Sequence, residues 1–282
     1  MLDFDKTLLA PNVPLLRDKV YDARSIFRAE NLLREARRQK NVPEGAVPEI
    51  CVLDPDGDLV RHLLQSGAGQ KSPFWACYHT DLVVFETGGT RFGVVGCAVG
   101  GPFAVLIAEQ MFASGCRLLI SITSSGQIAD GGPTPYFILI DRALRDEGTS
   151  HHYMAPSDFA YADPALVRLT QAGLGGTGLR VITGSTWTTD APYRETETAI
   201  EAAKAQGVLA VEMEAAALYA FAAACARPVL CFAHVTNQMA QIEGDFEKGE
   251  AGGAHDAILL LGAAADAWSR SDTAGQDRER QA

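Results

Sequence analysis

Apolar positions along this chain fall into short, nearly unbroken runs separated by stretches with a period near 3.6, the pattern of buried strands alternating with helices. Strands are predicted at Glu49–Leu53, Leu82–Phe85, Phe92–Val99, Leu118–Thr123, Tyr136–Ile140, Leu179–Thr183 and Val229–His234. Runs such as Phe92–Val99, apolar at almost every position, fit strands covered on both faces. The first predicted helix, Ala23–Gln39, carries Ile26, Leu32, Leu33 and Ala36 as a narrow apolar face. A second opens at Gly100-Gly101-Pro102 and runs to Ser114, with proline in its first turn and Gly115 just past its end. Further helices are predicted at Pro164–Gln171, Glu195–Gln206, Glu212–Cys225 and His255–Trp268.

This alternation argues for an α/β fold around a largely buried sheet. A chain of 282 residues with 47% hydrophobic content can bury one sizeable core, and no linker interrupts it. Residues 1–48 read as an N-terminal extension with a helix, residues 49–270 as one domain, and the polar residues 271–282 as a disordered tail. A formal charge of −11 would repel a nucleic-acid polymer, although a local pocket can still hold one small anion. Six cysteines lie in or beside apolar runs and none forms a C-x-x-C pair, which suits buried thiols in a reducing cytoplasm. Met1–Leu16 carries Asp3, Asp5 and Lys6 and reads as neither signal peptide nor membrane anchor. A cytoplasmic protein without a membrane partner is expected.

Several motifs fail on context. Gly173-Leu174-Gly175-Gly176-Thr177-Gly178 matches a dinucleotide fingerprint, but a helix precedes it and a strand follows, the reverse of the required order. Asp54-Pro55-Asp56-Gly57-Asp58 begins like a calcium loop, yet Leu59 and Gln65 stand where glycine and glutamate are needed. It reads instead as a strand-to-helix turn with a carboxylate N-cap. The histidines show no metal spacing, and no G-x-S-x-G elbow is present, so neither a metal, a cofactor nor a serine hydrolase is expected.

Two features survive. Gly100-Gly101-Pro102 and Thr123-Ser124-Ser125-Gly126 are small-residue turns after buried strands, where backbone N–H groups can hold an anion or a polarised water. Glu212-Met213-Glu214 follows the apolar run Gly207–Val211 at the head of a helix whose core stripe is Leu218, Phe221, Ala222 and Cys225. Carboxylates at a helix start are favoured by its dipole. Emerging from a buried approach, they also need donors, and sugar hydroxyls are suitable ones.

Val-Glu-Met-Glu-Ala-Ala-Ala at 211–217 resembles the signature of the nucleoside phosphorylase and nucleosidase superfamily, on its uridine phosphorylase side. Val99–Pro102 is similar to that family's glycine-rich turn, Leu119–Ile128 to its phosphate-loop strand, and Gly148–Pro156 to its mid-chain loop. The matches keep the family's order over roughly Glu49 to Trp268. The resemblance implies a three-layer α/β/α fold with a central mixed, partly barrel-like sheet, and a homodimer or a trimer of dimers. It implies cleavage of the N-glycosidic bond of a nucleoside through an oxocarbenium-like sugar, with no cofactor. It casts Glu214 as the carboxylate gripping the ribose, Met213 as the side chain under the sugar, and Glu212 beside them. Gly100, Gly101 and Ser124 would hold phosphate or water, with Ser125 and His152 lining the substrate. Asn237 stands where purine-specific relatives have an aspartate acid, and Arg194 lies near the base-recognition segment. Arg28 is the counterpart of a residue that reaches the sugar 5′ position across a dimer interface.

The match departs from the family where phosphate is held. Phosphorylases use arginines there, since a guanidinium fork suits phosphate. Here Leu53-Asp54-Pro55-Asp56-Gly57-Asp58 lacks the family glycine and arginine and adds two acids, and Ser121 replaces a second arginine. The acceptor, phosphate or water, stays open at this point. A non-catalytic nucleoside-binding protein on the same fold is the competing expectation.

Overall fold

The computed structural model describes residues 13–239 and 243–281, without the side chains of residues 272–281. Its strands are β1 (Ile50–Asp54), β2 (Gly69–Lys71), β3 (Val83–Thr87), β4 (Thr90–Gly96), β5 (Leu118–Gln127), β6 (Tyr136–Asp146), β7 (Phe159–Tyr161), β8 (Val181–Thr189), β9 (Val208–Glu212) and β10 (Val229–Asn237). Its helices are α1 (Ala29–Lys40), α2 (Asp58–Ser66), α3 (Gly101–Ala113), α4 (Pro164–Leu174), α5 (Glu197–Ala205), α6 (Ala215–Cys225) and α7 (Ala254–Gln281).

One mixed sheet runs β10-β6-β8-β9-β5-β1-β4-β3-β2, with β7 beside β6. A further pairing of β10 with β5 closes β5, β10, β6, β8 and β9 into a five-stranded barrel. The ring is antiparallel at β5–β9 and β10–β6 and parallel at its other joints. This is the expected α/β architecture with a partly barrel-like sheet. Every residue of β1 and of β10 is buried, as their unbroken apolar runs require. Each large side chain enclosed this way contributes about 1.5–3 kcal/mol of burial free energy.

Several boundaries differ from the sequence reading for physical reasons. The first helix begins at Ala29, and Ile26 is 97% exposed, so the chain before Arg28 is no amphipathic helix. Strand β5 runs straight through Ser124, Ser125 and Gly126, because β10 and β9 supply ladder partners to these small residues. The 207–211 run forms β9, and α6 starts three residues later than predicted. Burial in α6 is continuous from Ala215 to Phe221 and Cys225 is exposed, so the helix is enclosed at its start instead of striped. Helix α7 continues to Gln281, where a disordered tail was expected; no proline stops it. No helix among the described residues is long and apolar enough to cross a membrane.

Candidate functional site

Strands β1, β4, β5 and β10 run parallel, so Asp54, Gly96, Gln127 and Asn237 end on one side of the sheet. Ligands of open α/β sheets bind outside such carboxyl ends. The 211–214 segment reaches the same place because Val211 of β9 pairs with Gly126, which also pairs with Asn237.

A helix start leaves orphan N–H groups that need acceptors. At α6 the acceptors come from two strand ends. Glu212 Oε2 accepts from the Glu214 and Ala215 N–H groups, both at 2.7 Å. Thr188 Oγ1 accepts from the Ala216 N–H at 2.9 Å and itself donates to Glu212 Oε1 at 2.5 Å. Thr186 donates to the same oxygen at 3.1 Å. The Glu212 carboxylate is thus occupied by protein donors and terminates β9 while capping α6.

Glu214 is placed differently. Its side chain is 1% exposed; Oε1 accepts the Gly100 N–H at 2.7 Å, and Oε2 has no partner among the described residues. Burial and the neighbouring Glu212 charge push its carboxyl up to about 8, against the Gly100 N–H and Thr123, which favour the charged form. Gly100 holds φ 87°, a backbone state that disfavours any side chain, and so aims its N–H at Glu214 from the start of α3. A Cβ on Gly101 would stand 2.9 Å from the Ala217 Cβ, so glycine lets α3 approach α6.

Strand β5 brings the second predicted turn to the same cluster. Ser125 shares a face with Thr123 by strand alternation, and its buried Oγ has no partner among the described residues. The Ser124 N–H is taken by Asp56 Oδ2 at 2.9 Å. Asp56 lies 3.5 Å from Lys248 Nζ, which is 2.5 Å from Asp58. Asp54 caps α2 by accepting the Val60 N–H at 2.9 Å, and burial pushes its carboxyl up to about 7. The predicted strand-to-helix turn exists, but its N-cap is Gly57 and not a carboxylate; Asp54 reaches the first turn from three residues further back. His234, buried and stacked on Phe137, is pushed down to about 4 by burial and the Lys248 charge.

Asn237 is buried beside Gly126; its Oδ1 accepts the Met239 N–H at 2.9 Å and its amide donates to Thr236 at 3.1 Å. Met213 is half-buried between Glu212 and Glu214. The remaining predicted residues lie apart from these contacts. Arg194 stands exposed on the Pro192–Arg194 turn. His152 Nδ1 is 2.9 Å from Lys19 Nζ, in a groove of about 540 Å³ that also takes in Phe27, Pro102 and Tyr153. Arg28 adjoins this groove at the start of α1, 3.6 Å from Glu30.

The sequence reading missed Thr186, Thr188, Lys248 and Arg145. Buried Arg145 binds Ser150, His151, Met154, Ala155 and Ser157, and so shapes the Gly148–Pro156 loop. No group of metal-ligating side chains occurs among the described residues.

The family model described as the phosphorylase superfamily matches residues 49–260. An uncharacterized protein of Acanthamoeba polyphaga mimivirus is 30% identical over 148 residues, 52% of this chain. A uridine phosphorylase of Thermococcus kodakarensis is 27% identical over 150 residues, 49% of this chain. The chain spans about half the length of these two relatives, 57% and 53%. The crystal structure of a uridine phosphorylase from Vibrio fischeri superposes with a TM-score of 0.65 at 21% identity, covering 78% of this chain and 93% of that one.

Proposed function

The chain belongs to the phosphorylase superfamily, and from that premise we propose that it cleaves the N-glycosidic bond of a nucleoside, releasing the free base. One observation carries the reading: Glu214 presents a buried carboxylate with one oxygen fixed by Gly100 and the other unpartnered. Such an oxygen is costly to bury alone and is matched by a donor from a ligand. Ribose hydroxyls supply that donor. As the C1′–N bond breaks, positive charge develops on the sugar, and a nearby ionised Glu214 stabilises it more than the ground state.

Asn237 has no acidic proton to give, and both ends of its amide are engaged within the chain. This favours a base that departs as an anion held by hydrogen bonds, as a pyrimidine can, over one protonated as it leaves. It is also the observation that favours the second reading, a nucleoside-binding protein without turnover. A nucleoside panel followed for free base separates the two. Release of base supports the first; saturable binding without release supports the second.

Self-association follows from the same reading. Ile26 and Phe27, 97% and 74% exposed beside the His152 groove, are apolar surface that a second copy of the chain would cover.

A further inference from the structure

Both turns read as anion sites already have an N–H engaged by this chain's own carboxylates. Gly100 donates to Glu214 at 2.7 Å and Ser124 to Asp56 at 2.9 Å. A carboxylate that accepts a backbone N–H and faces a lysine stands where one edge of a bound oxyanion would stand. Asp56 is fixed there by Lys248 at 3.5 Å, which is shared with Asp58 at 2.5 Å. One lysine pairs with two of the three acids in this loop, and no arginine lines the adjoining cavity.

That cavity measures about 30 Å³ and is bounded by Asp54, Asp56, Asp58, Ser124, His234 and Lys248 among others. It is room for one or two waters. A phosphate dianion, with four oxygens about its phosphorus, would have to displace Asp56 and then meet Asp54 and Asp58. The buried Nε2 of His234 has no partner among the described residues and gives a water in the cavity a hydrogen-bond partner.

Resting on the reading that this site cleaves nucleosides, we propose that Asp56 sets the acceptor: its carboxylate fills the anion subsite, so the sugar passes to water and not to inorganic phosphate. In the step, the C1′–N bond breaks and its electron pair leaves with the base. The water oxygen forms the new bond to C1′, and the water proton passes to the Asp56 carboxylate and on to solvent. The departing base takes its proton from solvent, so the products are free base and ribose.

The test titrates inorganic phosphate into the full chain by calorimetry, for wild type, Asp56→Ala and the nearly isosteric Asp56→Asn. Product analysis in ¹⁸O-labelled water runs beside it. The expected wild type shows no saturable phosphate binding and yields ¹⁸O-ribose at a rate indifferent to phosphate. Removing the carboxylate charge should tighten phosphate binding by about tenfold or more. If the alanine variant fails to fold, the asparagine variant carries the same charge change. Wild type that binds phosphate as tightly as the variants, or that forms ribose 1-phosphate, overturns the assignment. If no nucleoside is cleaved with either acceptor, the cleavage reading alone falls, and the phosphate titrations still decide what Asp56 does.

Discussion

Because burial and Glu212 raise the Glu214 carboxyl to about 8, the folded chain binds this proton more tightly than the unfolded chain, whose carboxyl titrates near 4.5. Its linkage term is therefore fully favourable below the unfolded value and is lost as pH rises from about 4.5 through about 8. Glu214→Gln removes that term. The melting temperature of the variant, relative to wild type, should rise steadily across this interval; a constant difference would show that Glu214 does not titrate there. A ligand hydroxyl donating to Glu214 favours the charged form, so nucleoside binding at pH 7 should release a proton. Calorimetry in two buffers of different ionisation enthalpy reads this directly. Binding enthalpies that agree in both buffers would contradict it.

Helix α6 shows how local pattern and tertiary demand divide an element. The apolar run before Glu212 and the alanines after Glu214 were both visible in the sequence, and the family resemblance singled out Glu214, but that Glu212 is taken up in capping the helix was not visible. That division depends on Thr186 and Thr188, 26 and 24 residues upstream, whose hydroxyls reach Glu212 only because β8 pairs with β9. No spacing rule marks those threonines. Likewise the serine turn at 124–126 looked like a strand end, since small polar residues signal turns until two neighbouring strands claim their backbone. Replacing Thr188 with valine keeps the shape but deprives Ala216 of an acceptor and Glu212 of a donor. Unfolding should cost about 1–3 kcal/mol less, measured by denaturant titration. Activity should fall as well, because the start of α6 positions Glu214. Unchanged stability would mean that the cap is made elsewhere.

Across the whole molecule, the strand runs and the order of their helices were legible because strands buried on both faces leave an apolar signature. Short edge pieces such as β2 and β7 left none: three residues of mixed polarity carry no period. Closure of the barrel through β10 and β5 was implied by family resemblance and not by any local pattern. The exposed Ile26 and Phe27 carry the proposed self-association. Replacing both with aspartate should shift sedimentation toward the monomer while leaving the fold intact by circular dichroism; an unchanged sedimentation coefficient would place any interface elsewhere.

The central claim is that Glu214 holds the ribose hydroxyls while the bond to the base breaks. Comparing kcat/KM for a ribonucleoside and its 2′,3′-dideoxy analogue, in wild type and in Glu214→Gln, tests it most directly. Loss of the hydroxyls should cost wild type roughly 10²-fold, as expected for hydrogen bonds to a charged group. The same loss should cost the variant far less. An equal penalty in both proteins would contradict the assignment of Glu214 to the sugar.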